Sequence, residues 1–116
     1  MPNIQIFGVR NSQETRAAER FFKERGVKFH FVDLKVRPMA PGEIHRFTEY
    51  FGLDSLLDKE SAGYADAGLK YLKTNESELL ARIERQPKLL KLPLIRSGNK
   101  LSIGRNEEAW KQMLED

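Results

Sequence analysis

The stretch of sequence that decides the fold is residues 4–22, Ile4-Gln-Ile-Phe-Gly-Val-Arg-Asn-Ser-Gln-Glu-Thr-Arg-Ala-Ala-Glu-Arg-Phe-Phe22. An apolar run that ends at Gly8 predicts a strand. The spacing of apolar residues after residue 12 predicts a helix with one buried face, which Gly26 ends. The side chains that share this face are Ala17, Ala18, Phe21 and Phe22.

The junction between this strand and this helix is the first candidate for a functional site. Asn11 followed three residues later by Glu14 has the pattern of a capping box, which places the start of the helix here. A helix start leaves unpaired backbone N–H groups and the positive end of the helix dipole, which together bind anions or acidify a thiol. The chain has no cysteine, so anion binding is the chemistry that remains.

Composition limits the classes of protein to which the chain can belong. The chain has 116 residues, of which 40% are hydrophobic and 32% charged, as expected for one globular domain. It contains neither an apolar run of about 18 residues nor the pattern of a secretory leader, so we expect a cytoplasmic protein without a membrane span. Zero cysteines exclude disulfides, zinc–thiolate sites and thiol catalysis by this chain.

Charge is moderate overall and concentrated towards the C-terminus. The net charge is +3, and residues 82–111 contain eight basic and three acidic side chains. Such a stretch can meet an acidic partner, an oxyanion or nucleic acid. A solvated surface explains most of it, and no helix-turn-helix pattern or exposed aromatic series indicates a nucleic-acid reader. We therefore do not expect direct binding of nucleic acid.

The rest of the chain predicts an α/β protein. The second strand follows the first helix and so makes a parallel β-α-β unit. The predicted elements after the first helix are a strand at 27–32, helices at 41–51 and 76–85, short helices within 53–72, a hairpin with strands at 93–95 and 101–103, and a final helix from about 106.

Several segments in this order resemble the arsenate reductase-like (ArsC/Spx/YffB) family of the thioredoxin superfamily. The loop from Ile6 to Ser12 with Arg16-Ala17 is similar to the active-site loop of the family, and the reactive cysteine falls on Ser12. The second cysteine of regulators with a Cys-x-x-Cys pair falls on Thr15. Further similar segments are residues 33–35, 38–44, 87–95 and 104–105.

The resemblance implies a thioredoxin-like fold. Its mixed four-stranded sheet is built from a β-α-β half and a β-β-α half, with a helical insertion between them. We expect residues 1–116 to form a single domain, in which residues 1–36 and 87–116 form the sheet and residues 37–86 form the insertion.

The resemblance also implies a site whose chemistry has changed. Ser12 cannot inherit the role of the thiol, because a serine hydroxyl is hardly ionised at neutral pH and a helix end contributes only about 1 kcal/mol. His30 and His45 show no motif that pairs either of them with Ser12 as a base. We interpret Ser12 as a structural residue of the first helical turn, beside a cap at Asn11.

Three anion-binding arginines assist the family thiol, and this chain retains one clear counterpart. The first falls near Asp58-Lys59, and the second falls on Leu92, with Lys91 one residue earlier. The third matches Arg105. Pro93 matches the family proline that is held cis and faces the loop, where the neighbouring backbone pairs with a thiol substrate such as glutathione.

The candidate site therefore combines the loop with these matches. We expect a shallow pocket able to hold an oxyanion, glutathione or an acidic peptide, without a metal or a resident cofactor. Its predicted residues are Gly8, Val9, Arg10, Asn11, Ser12, Arg16, Lys91, Pro93 and Arg105.

Two functions follow from the resemblance. The first is a non-catalytic binding or regulatory protein similar to Spx, which docks on RNA polymerase. The alternative is a glutathione-dependent arsenate reductase-like oxidoreductase. The absence of cysteine favours the first, because every mechanism of the second kind needs a thiol on the protein.

Overall fold

The computed structural model describes residues 3–61, 64 and 75–115. The strands are β1 (Ile4–Gly8), β2 (Phe29–Asp33), β3 (Leu94–Ser97) and β4 (Lys100–Ile103). The helices are α1 (Gln13–Glu24), α2 (Pro41–Phe51), α3 (Leu53–Leu56), α4 (Glu76–Arg85) and α5 (Glu107–Met113), with a 3-10 turn at Pro87–Leu89. The short helices predicted within 53–72 include α3, and residues 62–63 and 65–72 of that stretch lie outside the described residues.

The chain forms two compact units, one from Met1–Arg37 with Leu92–Asp116 and the other from Pro38–Lys91. The first unit contains the sheet, in the order β2-β1-β3-β4. β1 runs parallel to β2 and antiparallel to β3, and β3 and β4 form the hairpin. This is the predicted mixed four-stranded sheet, with α1 as the crossover between its two parallel strands.

The core of the first unit confirms the apolar face predicted for α1. Phe21 and Phe22 pack against Trp110 of α5, with ring centroids 5.4 and 6.2 Å from that of the indole. Burying each of the two phenylalanines contributes about 1.5–3 kcal/mol. The buried members of this cluster are Ile4, Ile6, Ala18, Phe21, Phe22, Ile95, Trp110 and Met113.

The second strand begins later than its apolar residues predict. We expected residues 27–32, whereas β2 spans Phe29–Asp33. The Val27 N–H still donates to the Phe22 carbonyl oxygen at 3.0 Å, so Val27 belongs to the end of the helix rather than to the sheet. Gly26 adopts a φ of 69°, which glycine tolerates best, and ends α1 as predicted.

The second unit is helical in the part that the structure describes. Ile44 and Phe47 of α2 are buried, while Phe51 at the end of the same helix is half-buried. Across the described ranges, no helix is long and apolar enough to cross a membrane.

A close approach of α1 to β1 fixes the geometry of the junction between them. The side chain of Thr15 packs directly over Gly8, at a distance that leaves no room for a side chain there. A Cβ atom at residue 8 would lie 2.6 Å from both Cγ2 and Oγ1 of Thr15. Only glycine fits between this strand and this helix.

We expect Gly8→Ala to lower the free energy of unfolding by about 1–3 kcal/mol, because the added methyl group overpacks the junction. Urea denaturation followed by circular dichroism measures this. Gly42→Ala is the matched control, because a Cβ at Gly42 meets nothing within 4 Å. In a Thr15→Ala background the cost of Gly8→Ala should shrink, and an equal cost in both backgrounds contradicts the contact.

Candidate functional site

The candidate site is centred on Ser12, which caps α1. Its Oγ accepts a hydrogen bond from the Thr15 backbone N–H at 3.2 Å. The same hydroxyl donates to Glu14 Oε2 at 3.5 Å. The cap predicted at Asn11 is therefore wrong by one residue. The Ser12 N–H donates to the Val9 carbonyl oxygen at 3.1 Å and closes a turn. This turn brings Ser12, and not Asn11, to the start of the helix.

This geometry leaves Ser12 without the features of a nucleophile. Its hydroxyl already makes two hydrogen bonds, and the residue is only 8% exposed. Activation of serine requires a general base that accepts its proton. Glu14 accepts a hydrogen bond from this hydroxyl at 3.5 Å, which is longer than the roughly 2.6–3.2 Å at which a general base takes up a proton. Ser12 therefore has a structural role, as expected, but as the capping residue itself and not as a first-turn residue beside a cap at Asn11.

Arg10 is held beside the loop by contacts with both α1 and β2. Its Nη1 lies 3.6 Å from Glu19 Oε2, and its guanidinium carbon lies 4.4 Å from the centre of the Phe31 ring. Arg16 and Asn11 are exposed on the same loop and first turn. The Arg16 backbone N–H donates to the Ser12 carbonyl oxygen at 3.0 Å, so this arginine lies one turn beyond the cap.

Pro93, another predicted site residue, lies directly before β3 of the sheet. The Leu92–Pro93 peptide bond is cis, which confirms the expectation for this proline. Pro93 directly precedes Leu94, which pairs with Phe7 near the end of β1. The Pro93 carbonyl oxygen accepts from the Gly104 N–H at 3.0 Å, which brings the residue before Arg105 against Pro93.

Arg105 itself is exposed and already has an acidic neighbour. Its Nη2 lies 3.5 Å from Glu107 Oε2, with both side chains more than half exposed. An exposed pair of this kind is worth at most about 1 kcal/mol, so an incoming anion can displace the carboxylate. Arg105 is therefore available to a ligand at little cost.

Lys91 belongs to the second unit, and its role at the Ser12 loop stays a prediction. The Lys91 backbone N–H donates to the Leu56 carbonyl oxygen at 2.7 Å. Within the same unit, Lys59 Nζ pairs with Asp54 Oδ2 at 2.8 Å. This hydrogen bond raises the pKa of Lys59 above its ordinary value. The cation nearest the position of the first family arginine therefore already pairs with a carboxylate, that of Asp54.

Sequence reasoning gave the second family cysteine position, Thr15, no structural role. Thr15 is fully buried, and its Oγ1 has no hydrogen-bond partner among the residues that the structure describes. The short spacing between Gly8 and a small residue in the first turn of the helix was the available indication of this packing.

Sequence reasoning also missed the partners of Arg10, because Glu19 and Phe31 are far from it along the chain. Over the described residues, no cluster of three metal-ligating side chains occurs.

The helix start and the nearby cations together can hold an anion non-covalently. The first turn of α1 presents backbone N–H groups and the positive end of the dipole, while Arg10 and Arg16 are exposed beside it. The junction therefore offers backbone N–H and guanidinium groups to an anion.

Comparison with known proteins relates most of the chain to one family. A model of the ArsC family matches residues 7–113. The global transcriptional regulator Spx 2 of Oceanobacillus iheyensis is 24% identical over 113 residues, which are 96% of this chain and 83% of that protein.

Solved structures share the fold at lower sequence identity. A protein named YFFB has a TM-score of 0.84 at 17% identity, covering 97% of this chain and 99% of its own. An arsenate reductase from Vibrio cholerae has a TM-score of 0.76 at 14% identity, with 98% and 97% covered. These similarities show the thioredoxin-like α/β fold.

We expect Ser12→Ala to lower the free energy of unfolding by about 1 kcal/mol, because it removes the acceptor of the Thr15 N–H. Ser12→Asp, which restores an acceptor, should recover most of this loss. Asn11→Ala is the neighbouring control and should cost less than about 0.5 kcal/mol. Chemical denaturation of the three variants measures the differences, and a larger loss for Asn11→Ala than for Ser12→Ala would place the cap at Asn11.

Proposed function

This chain belongs to the ArsC family, and on that premise we propose that it is a non-catalytic binding protein with a regulatory role of the Spx kind. The observation that carries the proposal is that Ser12 caps α1 through its hydroxyl. By the resemblance, Ser12 falls on the position of the family cysteine. The scaffold that presents a thiol is kept, while the thiol is absent from the chain.

The loss of the thiol removes more than one step of the family chemistry. A serine cannot pass through a disulfide, and its hydroxyl is far less acidic than a thiol at the same helix end. Of the residues that match the anion-binding arginines, Arg105 alone is an arginine, since Leu92 replaces another and the first falls near Asp58-Lys59. Several departures in one site favour a changed task over a weakened enzyme.

The proposed partner is a protein, and RNA polymerase is the candidate that the resemblance to Spx suggests. The contact surface in this proposal includes the loop at Ser12 together with Pro93 and Arg105. An oxyanion, glutathione or an acidic side chain of the partner would bind where the first turn of α1 presents its N–H groups. We further propose that the protein acts in the cytoplasm.

We expect no arsenate reduction by this protein in the presence of glutathione and glutaredoxin, because it has no thiol to form an arsenate adduct. The measurement is the rate of coupled NADPH oxidation, with the Vibrio cholerae reductase as the positive control. Turnover above the buffer rate would overturn the proposal and favour the arsenate reductase-like alternative.

We expect purified bacterial RNA polymerase to bind the protein, and Arg105→Glu to weaken this binding by about fivefold. Biolayer interferometry at physiological salt measures both. Lys88→Glu is the matched control, since Lys88 is also exposed and lies outside the candidate site. Equal losses in both variants indicate non-specific charge, and no binding at all rejects RNA polymerase as the partner.

A further inference from the structure

A second surface of the first unit is basic and extends from the candidate site, with which it shares Arg10 and Arg16. It is an open groove of about 770 Å³ between α1 and the beginning of β2, and we refer to it as the basic groove. This volume falls in the range of ligand pockets. Its cationic lining residues are Arg10, Arg16, Arg20, Lys23 and Lys28.

Ion pairs of these cations are few among the described residues. Within residues 3–61, 64 and 75–115, Arg10 is the one groove cation that pairs with a carboxylate, that of Glu19. Among the residues that the structure describes, Arg20, Lys23 and Lys28 form no ion pair, and all three are exposed. Like charges at successive turns of a helix destabilise it slightly. Binding of an anionic partner between these cations relieves that repulsion.

The groove also contains apolar surface and two carboxylates. Val27 and Phe29 line it and are half-buried, which gives a partner apolar contact as well as charge. Glu19 and Glu24 lie among the cations. These carboxylates would repel a continuous phosphate backbone, whereas a peptide can place N–H groups or a basic side chain opposite them.

The strand beside the groove has an edge that can accept another strand. β2 is the outermost strand of the sheet in the described part of the chain and pairs only with β1. Its sequence, Phe-His-Phe-Val-Asp, contains no lysine or proline of the kind that blocks edge pairing. An extended segment can therefore add main-chain hydrogen bonds to β2 while its side chains reach the groove.

We propose that the basic groove and the edge of β2 together bind an extended, acidic segment of a partner protein. Alternate side chains of such a segment point to the same side. Carboxylates on that side meet Arg20, Lys23 and Lys28, and the backbone pairs with β2. The proposal is independent of RNA polymerase as partner, because these three residues lie outside the Ser12 site.

The test uses a fluorescent peptide of about eight residues that alternates Glu and Val, and a second peptide with Gln in place of Glu. Fluorescence anisotropy at about 0.15 M salt gives the affinities. The groove variant combines Arg20→Gln, Lys23→Gln and Lys28→Gln. The control variant has the same net charge and combines Lys35→Gln, Arg46→Gln and Lys88→Gln, three exposed positions outside the groove.

We expect the acidic peptide to bind the wild type and the control variant about tenfold more tightly than the groove variant. The Gln peptide should bind weakly to all three. Backbone amide shifts on addition of the acidic peptide should concentrate in residues 29–33. Circular dichroism of both variants checks that their folding is unchanged.

Four results would overturn the proposal. These are no binding of the acidic peptide, equal losses in the two variants, amide shifts that avoid β2, and tighter groove-dependent binding of a single-stranded oligonucleotide of equal charge. The last result would assign the groove to nucleic acid instead.

Discussion

The close approach of α1 to β1, where Thr15 packs over Gly8, is the constraint on which the rest of the first unit depends. It lets the helix lie near enough to the sheet for Phe21 and Phe22 to reach the core. It also places the start of the helix directly after the loop, with Ser12 at the cap. The approach buries Thr15 Oγ1 without a partner, a cost of about 1–3 kcal/mol that the burial of the two aromatic rings offsets.

Apolar periodicity predicted most of the helices and strands. It did not predict the start of β2 or the cap of α1, which depend on local hydrogen bonds. The face of α1 followed from spacing alone, because four residues of one face recur at helical intervals. The start of β2 did not follow from spacing. The apolar Val27 lies outside the strand because its backbone N–H donates to the Phe22 carbonyl oxygen near the end of α1. Asn11 and Ser12 are both good capping residues, and only the three-dimensional turn back to Val9 selects between them.

The candidate site was less accessible to sequence reasoning, for a different physical reason. The position of Ser12 and the cis bond before Pro93 came from resemblance to a family, and no periodicity indicates either. The contacts of Arg10 with Glu19 and Phe31 join three separate elements, so no local pattern reveals them. Lys91 was assigned to the same pocket from sequence order, and its part there remains a prediction.

The burial of Trp110 against two phenylalanines has a spectroscopic consequence. It is the single tryptophan of the chain, and it lies in the core of the unit that contains the sheet. The three tyrosines, by contrast, all fall between residues 38 and 91, which form the other unit. Indole emission, excited at the red edge of the indole band where tyrosine does not absorb, therefore reports on the unit that contains the sheet without any attached dye.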